Sequence, residues 1–175
     1  LLSGDVGFGK TEVAMNAMLA VILDGYQAIF VCPTTLLATQ HYHSMQKRFS
    51  EFGISIAKLD GKTPAKEKVH IKKGLASGEI KLVIGTHSLL EIQTNNLALV
   101  IIDEEHKFGV KQKEKLKHLR EDVHIFSMSA TPIPRTLNLA LSKLKGMSSL
   151  LTPPTERLGV RTYVKEFSDK LIKEV

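Results

Sequence analysis

The residues that could do chemistry fall in short runs. Gly4-Asp5-Val6-Gly7-Phe8-Gly9-Lys10-Thr11 fits G-x-x-x-x-G-K-[ST] at every fixed position. Gly7 and Gly9 let the backbone turn tightly and come close to an anion. Successive N–H groups along the run can then surround a phosphate, backed by the positive end of the helix that follows. In such a loop the Lys10 ammonium reaches the outer phosphates of a nucleoside triphosphate, and the Thr11 hydroxyl can ligate Mg²⁺. The competing reading is a glycine-rich turn that holds nothing. The apolar Leu1-Leu2 before the loop and the helical pattern after it count against that.

A second run, Leu99-Val100-Ile101-Ile102-Asp103-Glu104-Glu105-His106, is an apolar strand that ends in three acids and a histidine. Charges at strand ends are usually just solvated. Here an apolar strand delivers consecutive carboxylates to the edge where a parallel sheet presents its ligands. Asp103 would hold Mg²⁺ through a water, Glu104 would orient or deprotonate an attacking water, and His106 could report the nucleotide state to another surface. Lys10, Thr11, Asp103, Glu104 and His106 then make one Mg²⁺–nucleoside triphosphate site. A structural zinc is a poor alternative, because the seven His are scattered and the single Cys leaves no Cys pair. These two runs alone fit a GTPase, a kinase or a motor. Three more polar segments follow apolar runs: Pro33–Gln40, Gly85-Thr86-His87 and Ser129-Ala130-Thr131. Thr34, Thr35, Thr86 and His87 are small polar groups suited to holding phosphates by hydrogen bonds, which reads a backbone and not a sequence.

The elements that must position these groups alternate. Apolar, β-rich runs occur at 27–32, 54–59, 80–84, 97–102 and 123–128, separated by segments of helical length at 10–24, 36–52, 65–77, 110–121 and 134–143. That order predicts βαβ units and a parallel sheet covered by helices on both faces. The segment 10–24 is apolar on nearly every side and reads as a largely buried helix. Cys32 lies in the run 28–32 and reads as a buried strand thiol in a reducing, cytoplasmic setting, with no disulfide within the chain.

Length and composition agree with one folded domain. The chain has 175 residues, 43% hydrophobic and 24% charged, enough apolar content to support a core and so to exclude a wholly disordered chain. No apolar run reaches the roughly 18 residues of a membrane span. A net charge of +6 permits an anionic partner without naming one. Thr152-Pro153-Pro154-Thr155 reads as a linker, and residues 152–175 as that linker plus the start of a second domain. The Leu start, so close to the first motif, reads as a piece of a longer protein.

Taken together, these segments resemble the first RecA-like motor domain of the superfamily 2 helicases and translocases. In that family the D-E-x-H motif matches Asp103–His106. The S-A-T motif matches Ser129–Thr131 and makes Ser129 and Thr131 coupling residues. The P-T-x-x-L and T-H segments belong to motifs that contact nucleic-acid backbone, which assigns Thr34, Thr35, Thr86 and His87 to DNA. Within the superfamily the runs 4–15, 33–38, 103–110 and 130–138 are similar to the bacterial transcription-repair coupling factors. Their relative, the fork-remodelling RecG type, usually has Ser at the position of Phe8 and Gln at that of Glu105. The resemblance implies an α/β fold, a RecA-like P-loop NTPase domain over residues 1–151, and ATP and Mg²⁺ as cofactors. It further implies a double-stranded DNA translocase that displaces stalled RNA polymerase and couples transcription to excision repair. Implied partners are the DNA backbone, a second RecA-like domain of the same chain, and RNA polymerase and UvrA through other domains. With an arginine finger expected from the second domain, the 175 residues alone should hydrolyse ATP negligibly. A RecG-type fork remodeller and a nucleotide-binding module without catalysis are the alternatives. Arg135 reads as a helix N-terminal or linker contact, with a catalytic role as the alternative, and Phe108-Gly109 either as a coupling loop or as a core aromatic with a turn glycine.

Overall fold

The computed structural model describes residues 1–118, 123–130, 146–155 and 164. Among these residues seven strands form one sheet: β1 (Leu2–Gly4), β2 (Gln27–Val31), β3 (Ile56–Leu59), β4 (Leu82–Gly85), β5 (Leu97–Asp103), β6 (His124–Ser129) and β7 (Ser148–Leu150). Their order is β3-β4-β2-β5-β6-β1-β7, and every pairing is parallel. The helices among the described residues are α1 (Lys10–Leu23), α2 (Thr35–Phe49), α3 (Ala65–Ser77) and α4 (Val110–His118), with short 3₁₀ turns at 50–52, 87–91 and 105–107.

Side chains that alternate along each strand build two cores, as a sheet covered on both faces requires. Ala28, Phe30, Leu82, Ile84, Leu99 and Ile101 pack with α1 and α2 on one face. Ile29, Val31, Val83, Val100 and Ile102 pack with Ile71 and Leu75 of α3 and Leu116 of α4 on the other. Gln27 (1% exposed) starts β2 and ties the end of α3 and the chain before β4 to the chain before β5. Its amide donates to the carbonyls of Leu75 and Ile80, and its oxygen accepts from the N–H groups of Asn95 and Asn96.

The expected strands and helices are present with slightly shifted ends. Three findings differ from expectation. α1 is not largely buried: Ala14, Met18 and Ile22 form one buried stripe at four-residue spacing, while Val13 is 39% and Leu23 65% exposed. A helix lying on a sheet touches it along a single stripe, so apolar character all round does not bury it all round among the described residues. The segment 36–52 splits into α2 and a 3₁₀ turn that ends at Gly53 with φ 64°. β7 was not expected, because Ser148-Ser149-Leu150 carries no apolar run; it forms by edge pairing with β1, in register Leu2↔Ser148. The expected helix 134–143, Thr131, Arg135 and the tail from residue 156, apart from the exposed Val164, lie outside the described residues. No helix among the described residues is long and apolar enough to cross a membrane.

Candidate functional site

Because every strand runs the same way, all C-terminal ends meet at one edge of the sheet, where ligands bind in open α/β sheets. Register makes these ends level: Val31 pairs with Gly85 and Ile102, Asp103 with Met128, Ser3 with Ser129, and Gly4 with Leu150. Strand order then sorts the sequence motifs along the edge. The phosphate loop follows β1, Ser129 ends β6, Asp103 ends β5, Pro33-Thr34 follows β2, and Thr86-His87 follows β4. β6 separates β1 from β5, so the loop and Asp103 sit about 10 Å apart across one intervening strand.

The loop turns on two glycines in the left-handed region, Gly7 at φ 78° and Gly9 at φ 86°, a conformation that costs a side chain roughly 1–2 kcal/mol. The Phe8 N–H donates to the Asp5 carbonyl at 3.2 Å and the Val6 N–H to Asp5 Oδ1 at 2.7 Å, so the loop closes on itself. α1 begins directly after Gly9 with no side-chain cap, so its N-terminal dipole faces the loop. Lys10 folds back over the loop, its ammonium donating to the carbonyls of Gly4 (2.6 Å) and Asp5 (3.0 Å). A Cβ at Gly4 would stand 3.0 Å from Leu150 Cβ, a close approach that ties the loop's start to β7.

At the end of β5 the carboxylates take separate roles by geometry. Asp103 Oδ2 lies 3.3 Å from His41 Nε2, with the side chains 13% and 14% exposed. Glu104 has φ 52° and ψ 52° and is the one non-glycine residue with positive φ among those described. That bend turns the chain off the strand and into the 105–107 turn, closed by Lys107 N–H to Glu104 O at 2.8 Å. Glu104 Oε2 is 3.2 Å from His106 Nδ1, so the histidine reaches back to the acid two residues before it. Strain of this kind collects where a side chain must be aimed at a ligand. Cys32, buried just past β2, has its thiol pushed well up, first by burial and then by the negative charge of Asp103, so it remains a neutral thiol.

The segments expected to meet DNA also come to this edge. Thr34 caps α2, its hydroxyl accepting from the Leu37 N–H at 3.3 Å; the residue is exposed, and Thr35 is half-buried. His87 is exposed, but Thr86 is only 8% exposed, and its carbonyl accepts from Leu89 N–H at 2.9 Å to start the 87–91 turn. A small cleft of about 50 Å³, lined by Pro33, His87, Lys107, Phe108, Gly109 and Gln112, joins the ends of β2 and β4 to the chain after β5. Phe108 is buried in the core with α3 and α4 residues, so it is the core aromatic of the two alternatives. Ser129 is buried at the end of β6.

His41 escaped sequence reasoning. Its signal was positional: on α2 it lies three residues after Ala38 and four before Met45, both fully buried, so a histidine stands on a core stripe. A polar residue there needs a partner, and only the tertiary structure names Asp103.

No group of three or more His, Cys, Asp or Glu among the described residues could hold a metal by itself. The set near Asp103 and Thr11 instead fits an ion that takes one or two protein oxygens and completes its shell with water and phosphate, as Mg²⁺ does.

Residues 1–140 match the family model of the DEAD/DEAH box helicases. The chain belongs to that family. Within it, this helicase-family chain is 57% identical to the transcription-repair-coupling factor of Helicobacter pylori strain 26695, over all of the chain and 17% of the relative. It is 44% identical to the transcription-repair-coupling factor of Escherichia coli K12, over 99% of the chain and 15% of the relative. The chain thus spans less than a fifth of these relatives. Among solved structures, RecG bound to a three-way DNA junction superposes with a TM-score of 0.76 at 43% identity, covering 91% of this chain and 21% of that one. A DEAD box protein from Methanococcus jannaschii gives a TM-score of 0.63 at 23% identity over 85% of this chain and 44% of its own, a likeness of fold. The RecA-like α/β fold expected from the motifs is the fold observed.

Proposed function

We propose that this chain is the ATP-binding motor domain of a double-stranded DNA translocase that displaces stalled RNA polymerase and couples transcription to excision repair. The observation that carries the reading is identity to transcription-repair-coupling factors along the whole chain, 57% in the H. pylori relative, with the motifs among the described residues following strands that end at one edge of the sheet. Residues 1–151 form the motor domain, and 152–175 lead into a second RecA-like domain.

The residues divide the work as follows. The backbone of Gly4–Thr11 and the N-terminus of α1 bind the triphosphate, and Lys10 exchanges its two carbonyl partners for the outer phosphate oxygens. Thr11 would hold Mg²⁺ with its hydroxyl and Asp103 would hold it through a water. That ion, when bound, draws off charge from the β- and γ-phosphates. Glu104 accepts the proton of the attacking water, and the His106 imidazole keeps its carboxylate in place. Ser129, on the strand between loop and acid, with Thr131, couples the nucleotide to the DNA side, where Thr34, Thr35 and His87 touch backbone phosphates and the buried Thr86 shapes the wall behind them. An arginine finger from the second domain supplies about 10³–10⁵ in rate, so the 175 residues alone turn over ATP negligibly. Robust DNA-stimulated hydrolysis by the chain alone, abolished in Lys10→Ala, would count against this. UvrA and RNA polymerase engage other domains.

The test is displacement of a stalled RNA polymerase from a DNA template by the full-length protein with ATP, which Lys10→Ala should abolish. A second reading, a RecG-type fork remodeller, draws on the 43% identical RecG structure; Phe8 and Glu105 weigh against it. Regression of a synthetic fork without polymerase displacement would favour that second reading.

A further inference from the structure

We infer that His41 is the positioning residue for the Asp103 carboxylate, and that through it the metal ligand is held from helix α2. The inference rests on reading Asp103 as the carboxylate that holds Mg²⁺ through a water. A carboxylate that gives one oxygen to a metal, or to a water on that metal, is oriented by what its other oxygen touches. Oδ2 of Asp103 has His41 Nε2 at 3.3 Å as an ion-pair contact, and no hydrogen bond or further ion pair reaches this carboxylate from the described residues. The nearby Cys32 is a buried neutral thiol, a weak donor. With both side chains less than 15% exposed, water competes poorly for the contact.

The imidazole is itself held. Its ring lies 4.9 Å from that of Phe30, tilted by 49°, and Phe30 is fully buried in β2. Ala38 and Met45, fully buried on either side along α2, fix the helix face that carries it. β2 and β5 are neighbours in the sheet, so the contact crosses from the helix after β2 to the tip of β5. The same helix is capped by Thr34, seven residues and about 10 Å of rigid helix from His41. One rigid element therefore carries both a proposed DNA-backbone contact and the partner of the metal ligand.

The test uses the full-length protein and reads Mg²⁺ half-saturation in the binding of a fluorescent ATP analogue, alongside binding of the analogue without Mg²⁺. His41→Phe keeps a ring against Phe30 but has no N–H. It should raise the Mg²⁺ requirement roughly tenfold or more, the size of effect seen when such outer partners are lost, and leave Mg²⁺-free binding unchanged. His41→Gln, which keeps an N–H donor, should recover most of the loss. A His41→Phe requirement within twofold of wild type, or a His41→Gln defect as large as that of His41→Phe, overturns the inference. Asp103→Asn serves as the separate control on the site: an unchanged Mg²⁺ dependence there removes the site reading and this inference with it, whereas a large change there with none in His41→Phe removes the inference alone.

Discussion

Gln27→Met tests whether the lower edge of the sheet is held by one buried amide. Methionine has nearly the volume of glutamine and no polar group, so packing is retained while four hydrogen bonds disappear. Not all four acceptors and donors are orphaned. The Leu75 carbonyl keeps the N–H groups of Gly78 and Asn95, which also gives Asn95 N–H a partner. The Ile80 carbonyl and the Asn96 N–H have no replacement among the described residues. An unmet buried polar group costs about 1–3 kcal/mol, so two of them cost about 2–6 kcal/mol. Partial relaxation and the gain from burying the thioether bring the expectation to about 3 kcal/mol. In equilibrium urea unfolding of the 175-residue chain, with a slope near 2 kcal/mol/M, the midpoint should fall by about 1.5 M with the slope unchanged. A fall below about 0.5 M would refute the reasoning, because it would mean that water or a local shift satisfies both groups at little cost.

Other outcomes follow from the same geometry. Glu104→Gln in the full-length protein should retain ATP binding and lose turnover by about 10²–10⁴, the usual worth of a general base; unchanged steady-state turnover would defeat the assignment. Glu104→Gly should also lose turnover yet raise the chain's stability by about 1 kcal/mol, since glycine adopts φ 52° without strain; urea midpoints measure this. Gly85→Ala should destabilise by about 3 kcal/mol or prevent folding, because the added Cβ would stand 1.8 Å from the Leu59 carbonyl oxygen between β3 and β4; soluble yield and thermal melting report it. Burial of Asp60 opposes its ionisation, but Lys58, the N–H of Lys62 and the hydroxyl of Thr63 outweigh burial and hold the carboxyl below its ordinary value. Its contribution is therefore present above the unfolded value of about 3.9 and lost as pH falls through the lower folded one. Asp60→Asn should cost about 2 kcal/mol at pH 7, and its deficit against wild type should shrink in melts below about pH 4.

Much of the site was legible in the residues because its parts are local. The phosphate loop is eight consecutive residues, and its glycines, lysine and threonine take their geometry from their own backbone. The acidic motif is likewise contiguous, and an apolar run of strand length ending in Asp103 announces where it sits. Alternation of apolar runs with helical segments led to a parallel sheet, since no other arrangement buries runs that are apolar on both sides.

Tertiary structure decided what depends on distant partners. The insertion of β6 between β1 and β5 sets the spacing of loop and acid, and nothing in either motif carries that distance. α1 looked buried by composition, but a helix on a sheet has one contact stripe, and only the docked structure shows that Ala14, Met18 and Ile22 occupy it. Thr86 read as a group suited to holding phosphate and stands buried where the 87–91 turn begins, a burial that its own neighbours in sequence do not announce. β7 exists through pairing with β1 and not through its own residues. His41 and Asp103 lie 62 positions apart, on a helix and a strand end whose neighbourhood follows from strand order. Short-range spacing determined which chemistry this chain could hold; the order of the strands, a long-range property that no local pattern encodes, decided which groups stand close enough to perform it.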